Sequence, residues 1–146
     1  MENIVKQADS LFKDQNNNIS LLANASAFIN EVISDLNWVG FYLYNDGKLH
    51  VGPFQGKVAC TPIRINEGVC GYAFRNNLIT NVPNVHEFPG HIACDSASKS
   101  ELVIPLIKDS ITIGVLDLDS PIFSRFDEKT VSLIVKISEV ILKYYL

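Results

Sequence analysis

Apolar positions in the first third of the chain recur at helical spacing. Ile4, Val5, Ala8, Leu11 and Phe12 fall on one stripe and predict a first helix. Asn16-Asn17-Asn18 ends it, because asparagine side chains compete for the hydrogen bonds a helix backbone needs. Leu21, Leu22, Ala25, Phe28, Ile29, Val32 and Ile33 mark a second helix, with Ser20 as its expected N-cap. From Asn37 the pattern turns to alternation. In Trp38–Tyr44 one face holds Val39, Phe41 and Leu43, and the other holds Trp38, Gly40, Tyr42 and Tyr44. The first face suits a core against helices. The second mixes rings with a glycine gap, as the floor of a ligand cavity does. Asn45-Asp46-Gly47 is a hairpin turn into a second strand over Lys48–Pro53.

Residues 54–98 are expected to hold little regular structure. One short helix is predicted from near Gly68 to Asn76-Asn77, then a short strand, Leu78–Val82. Pro83–Ser98 reads as an ordered loop, and loops of that length inside a compact domain usually serve function. Strands Leu102–Ile107 and Ile111–Leu118 pair across Lys108-Asp109-Ser110. A closing helix follows, capped by Asp127, with Phe126 and Val131 as its hydrophobic staple. Its stripe carries Ile134, Ile137, Val140, Ile141 and Tyr144. The expected fold class is α+β: an antiparallel sheet with the terminal helices on one face and a loop-covered ligand pocket on the other.

At 146 residues, 47% hydrophobic and 19% charged, the chain is expected to be a single soluble domain over 1–146. A net charge of −4 gives no support to nucleic-acid binding. No apolar run approaches a membrane span, and Met1-Glu2-Asn3-Ile4-Val5-Lys6 does not open a secretion signal. A cytoplasmic protein is expected. There cysteines are free, metal-bound or transiently oxidised, and an odd count of three argues against a closed disulfide framework.

Those cysteines, Cys60, Cys70 and Cys94, each sit among small residues that give close access to sulfur. Three readings stand side by side. They are buried structural thiols; or, with His91 three residues before Cys94, a Cys3His zinc site despite spacings that lack close pairs; or a redox set in which one thiolate is the nucleophile and a second captures it as a disulfide. His91 near Cys94 would favour its thiolate, or simply stiffen the loop. Asp117 and Asp119 lie two apart on a strand and point the same way. They are either solvated acids at a strand end, or a buried pair that binds an ammonium group or holds a proton. Glu101 gains interest only if it converges on them. A helix starting at Gly68 would offer free amides to an anion, or lower the pKa of Cys70. Trp38 and Tyr42 stand on the candidate cavity floor.

Together these segments resemble the free methionine-(R)-sulfoxide reductases, a family built on a GAF domain. The resemblance runs on Trp38-Val39-Gly40-Phe41-Tyr42, Gly52–Lys57, Gly68-Val69-Cys70-Gly71, Phe88–Asp95, Ser98-Lys99-Ser100-Glu101 and Gly114–Ser120. It implies a GAF-like sheet and reduction of the free amino acid sulfoxide without metal or organic cofactor. It implies Cys94 as the nucleophile that becomes a sulfenic acid, Cys60 as the thiol that forms a disulfide with it, and Cys70 as a third cysteine that relays the disulfide or is dispensable. Trp38 would pack on the substrate methyl group, with Tyr42 beside it. Glu101, Asp117 and Asp119 would hold the ammonium and assist at the sulfoxide oxygen. Thioredoxin as reductant and a homodimer follow from the same resemblance. Asn84 departs from the family's usual aspartate before Val85. The alternative is a non-catalytic GAF module that senses a small molecule or a redox change.

Overall fold

A computed structural model describes residues 1–92 and 94–146. Ala93, one residue of the Phe88–Asp95 stretch, lies outside the described residues. The alternating segment forms β1, Trp38–Asn45, and the chain returns as β2, Lys48–Gly56. The turn residues have positive φ, 53° at Asp46 and 80° at Gly47, as a two-residue hairpin requires. β2 runs past Pro53 because the register slips between Gly40 and Tyr42. Proline, which cannot donate to a ladder, is tolerated in such an irregularity. A two-residue edge strand, β3 (Ile63–Arg64), follows; it is too short to show a period.

The helices near the N-terminus are α1, Glu2–Phe12, and α2, Asn18–Val32. The cap of α2 is Asn17 rather than Ser20: the Asn17 side chain accepts the Ser20 N–H at 3.0 Å. α3 spans Gly68–Asn76 and ends on Asn77 in the left-handed region. Leu78 still donates its N–H to the Ala73 carbonyl at 3.1 Å, so β4 begins only at Thr80 and spans Thr80–Val82. A short 3-10 turn occupies Val85–Glu87. β5, Ser100–Lys108, and β6, Ile111–Ser120, are each longer than their hydrophobic cores. α4, Glu128–Tyr144, starts at Asp127, whose side chain accepts the Thr130 N–H.

The six strands form one antiparallel sheet in the order β3-β2-β1-β6-β5-β4. β1 therefore lies between its hairpin partner and a strand from the far end of the chain, with Trp38 opposite Asp119 and Gly40 opposite Asp117. The two faces carry separate cores. Val39, Phe41, Leu116, Leu118, Leu102 and Ile104 face the apolar stripes of α1, α2 and α4. Trp38, Tyr42, Val103 and Val115 face α3 and the loops. This is the division expected from alternation in β1. Among the described residues no helix is long and apolar enough to cross a membrane.

Leu116 sits at the centre of the helix-side core, fully buried, between Phe41 and Ile104 on the neighbouring strands. Leu116→Ala is expected to cost about 2–5 kcal/mol, the usual range for a leucine removed from a close-packed core. Urea unfolding followed by circular dichroism checks this; a loss below about 1 kcal/mol would mean that the site collapses around the gap.

Candidate active site

Alternation places Trp38 and Tyr42 on the same side of β1, and the β1–β6 register sets Asp119 and Asp117 on that side too. β5 adds Glu101, directly opposite Asp119. Three carboxyl groups from two strands thus converge under the loops. All are buried, Glu101 and Asp117 at 5% exposure and Asp119 at 9%. The solvated strand end considered for the two aspartates is overturned, and Glu101 does converge on them. The loops and α3 cover these positions, a fact that strand alternation does not contain.

Carboxylates without counter-cations are costly to bury, and the cluster responds by holding protons. Burial, then the charge of Asp119, raises the Glu101 carboxyl to about 8. Burial and the neighbouring acids raise Asp117 and Asp119 well above the usual carboxylate range. No cation accompanies them among the described side chains. His91 Nε2 lies 3.8 Å from Glu101 Oε1, but burial and His86 lower the His91 pKa. At neutral pH both partners are therefore uncharged and the contact is a neutral one. Among the described residues Asp117 Oδ1 is buried with no hydrogen-bond partner. An ammonium ion would supply both the missing donor and the missing charge.

Above the acids lie the thiols. Cys60, in the connection from β2 to β3, is bonded to Cys94, with Cα atoms 5.7 Å apart. Two loops 34 residues apart in sequence thus meet at the cavity. Cys94 itself is exposed. Of the three readings of the cysteines, the redox pair is the one this geometry supports. The Cys3His zinc reading fails here, because two of its donors are bonded to each other. Cys70, on α3, is buried and free, with its sulfur 3.9 Å from Glu101 Oε2. Burial, then the Asp117 charge, raises its pKa well above the ordinary thiol value. The expected lowering by the amides at the start of α3 is thus reversed: desolvation and three adjacent acids outweigh a short helix's dipole. His91 points to Glu101 and is neutral, so it brings no positive charge to Cys94.

The floor is aromatic. Trp38 is buried and stacks between Tyr42 and Phe54, with ring centroids 5.6 and 5.1 Å away. Its Nε1 donates to the Lys57 carbonyl at 3.1 Å. The chain turns away beside the indole at Gly56, where φ is +138° and a Cβ would strike the ring. Tyr42 donates its hydroxyl to the Cys60 carbonyl at 3.1 Å. Burial, then the Asp117 charge, raises the phenol pKa, so it stays a donor. Trp38, Tyr42, Cys70, Cys94, Glu101, Asp117 and Asp119 all line one cavity. Cys60 reaches it through its bond to Cys94. Asn84, which stands where the family usually has aspartate, caps the 3-10 turn: its side chain accepts the His86 N–H at 3.0 Å.

The sequence reading assigns no role to Phe54 or Asn37. Phe54 escapes it because the strand is expected to end at Pro53. Asn37 stands just before β1, where no period applies, yet its side chain bridges to the loop after Cys94. Chemically, the site joins a thiol pair able to open and close, proton-bearing acids, a position that favours a cation, and an apolar wall. That set suits attack of sulfur on a polarised sulfur–oxygen bond in a small zwitterion.

Known proteins are similar to this chain in sequence and fold. The GAF domain family matches residues 4–141. The free methionine-R-sulfoxide reductase of Escherichia coli (strain K12) is 47% identical over 121 residues, covering 83% of this chain and 73% of its own length. The structure of fRMsr of Staphylococcus aureus in complex with substrate superimposes with a TM-score of 0.94 at 45% identity, covering 99% of this chain and 95% of that one. The free methionine-R-sulfoxide reductase from Neisseria meningitidis, also in complex with its substrate, gives a TM-score of 0.94 at 37% identity, over 99% of this chain and 87% of that one. With its fold, its paired thiols and its buried acids accounted for, the chain belongs to the GAF-domain family of free methionine-R-sulfoxide reductases.

Proposed function

We propose that this chain reduces free methionine-(R)-sulfoxide to methionine, with Cys94 as nucleophile and Cys60 as resolving thiol. The observation that carries the reading is the Cys60–Cys94 disulfide closed over a cavity floored by Trp38 and three buried acids. The substrate's methyl group packs on the Trp38 indole, with Tyr42 beside it. Its α-ammonium lies against the acids, where Asp117 Oδ1 has no hydrogen-bond partner among the described residues. Glu101 is assigned as the proton donor: like Asp117 and Asp119 it is raised by burial, to about 8, and it is the acid that meets His91 and the Cys70 thiol.

The steps balance. The Cys94 thiolate attacks the sulfoxide sulfur while the acid protonates the oxygen; the transient bond between the two sulfurs then breaks as that oxygen passes, as hydroxyl, from the methionine sulfur to the Cys94 sulfur, so that methionine leaves as the reduced thioether and Cys94 becomes a sulfenic acid. The Cys60 thiol then attacks the Cys94 sulfur, forming the disulfide and releasing water. A dithiol protein of the thioredoxin type restores both thiols by exchange. Cys70, buried, free and hydrogen-bonded to Glu101, stays outside the exchange and tunes the acid. No metal or organic cofactor takes part. We read residues 1–146 as one domain, working as a homodimer in the cytoplasm, where dithiol reductants are maintained. The exposed Leu11 and Ile19 near the N-terminal helices suit such self-association.

Incubation of the protein with dithiothreitol and racemic free methionine sulfoxide is expected to consume the R epimer and leave the S epimer. The N-acetylated sulfoxide, without an ammonium, is expected to persist. Chiral chromatography reads the outcome. Loss of neither free epimer would return the chain to a sensing module that binds without turnover.

A further inference from the structure

Asn37 ends the connection into β1 and is fastened to the acid-bearing strand: its backbone N–H donates to the Asp119 carbonyl at 2.9 Å. Its side-chain amide crosses to the other side of the site. Nδ2 donates to Asp95 Oδ2 at 3.1 Å and to Ser98 Oγ at 2.9 Å. The amide has one sensible orientation, because a carboxylate accepts only and would repel the Asn37 carbonyl oxygen. That carbonyl oxygen is buried with no partner among the described residues. Both donor hydrogens are used, so the side chain is placed for its donors.

What the donors hold is the turn immediately after Cys94. Asp95 Oδ1 accepts the Ala97 N–H at 2.9 Å, and Ser98 donates its N–H to the Asp95 carbonyl at 3.1 Å. The turn is thus internally closed, and Asn37 ties it to the end of β6. On the other thiol's segment, the Tyr42 hydroxyl holds the Cys60 carbonyl. Both cysteines are exposed or half-buried and lie on loops. Without such ties nothing regular would fix their distance from the acids.

We propose that Asn37 is a positioning residue, which pins the Asp95–Ser98 turn to the acid strand and so sets the approach of Cys94 to the sulfoxide sulfur. The proposal rests on Cys94 as the nucleophile. Asn37 is itself absent from the cavity lining and acts through Asp95 and Ser98, which line it beside Cys94, so the effect is expected on the approach of the reacting sulfur more than on substrate affinity. A displacement of about 1 Å in a reacting atom is enough to slow a reaction roughly 100-fold.

Steady-state kinetics of reduced protein with the R epimer test it. Asn37→Ala is expected to lower kcat about 10- to 100-fold with KM changed less than about 3-fold. Asn37→Asp is expected to be at least as slow, since two carboxylates then face each other. The exchanged pair, Asn37→Asp with Asp95→Asn, restores a donor opposite an acceptor and is expected to recover kcat to within about 5-fold of the parent. Thermal unfolding is followed in parallel. Recovery of kcat by the exchange supports the proposal. Asn37→Ala with kcat within about 2-fold of the parent overturns it, as does an exchanged pair that regains thermal stability without kcat. Should Asn37→Ala not fold, Asp95→Ala removes the same bond from the loop side, with the same fall in kcat expected. Turnover by Cys94→Ser would instead sink the underlying assignment of the nucleophile.

Discussion

Cys94→Ser is expected to abolish methionine release, lowering kcat/KM by roughly 10³-fold or more, as removal of a covalent nucleophile does. Serine keeps the shape of the side chain but is far weaker as a nucleophile toward sulfur. Cys60→Ser is expected to behave differently. Its first turnover is intact, so about one methionine per chain appears before the reaction stalls at the sulfenic acid. Rapid-quench chromatography counts the methionine, and mass spectrometry after dimedone labelling detects the sulfenic acid on Cys94. If Cys60→Ser releases none and Cys94→Ser releases one, the two roles are exchanged. The asymmetry has a structural basis: Cys94 is exposed and lines the cavity, whereas Cys60 reaches it through the bond to Cys94.

Glu101→Gln is expected to lower kcat/KM by about 10²–10⁴-fold, the usual worth of a general acid. In the parent, kcat/KM is expected to decline as pH rises through about 8, where Glu101 loses its proton. kcat/KM reports the free enzyme; bound ammonium favours the ionised acids and moves the limit seen in kcat to lower pH. In Glu101→Gln the limb near pH 8 disappears. Stability carries the same signature. The folded-state pKa, about 8, lies above the reference value of 4.5. Between these values the folded chain binds more protons than the unfolded one. Stability from this group is complete below pH 4.5 and is lost as pH rises through about 8. Glu101→Gln is expected to flatten that slope and to be relatively more stable at pH 8.5. Urea midpoints measured from pH 5 to 9 read it. A parent whose midpoint rises with pH over that range would show that Glu101 is ionised in the cavity and is not the donor.

Part of this site was legible along the chain because its elements are periodic. The alternation at Trp38–Tyr44 sorts Val39 and Phe41 from Trp38 and Tyr42, and the sheet keeps that division with helices on one side and the cavity on the other. Asp117 and Asp119, two apart, share a face for the same reason. The strand boundaries at Pro53 and Leu78 differ from the alternation because a bulge and a left-handed helix exit are accommodations of the fold. Asn17 rather than Ser20 caps α2, in a run Asn16–Ser20 where several residues are competent caps.

The burial of the acids was not legible, nor were the direction of the Cys70 shift, the partner of His91 or the partners of Asn37. Each depends on what covers or faces a side chain from a distant segment. A carboxyl on a strand is solvated or protonated according to the loops above it, and no local period records that. The amino-acid order by itself determined the two-faced sheet, the helices that bury one face and, through resemblance, the family and its thiols. Only the tertiary structure decided that β1 lies beside β6 and that three buried acids share one cavity with no cation among the described side chains. The reason is physical: patterning acts between neighbours in the chain, whereas desolvation and charge act between neighbours in space.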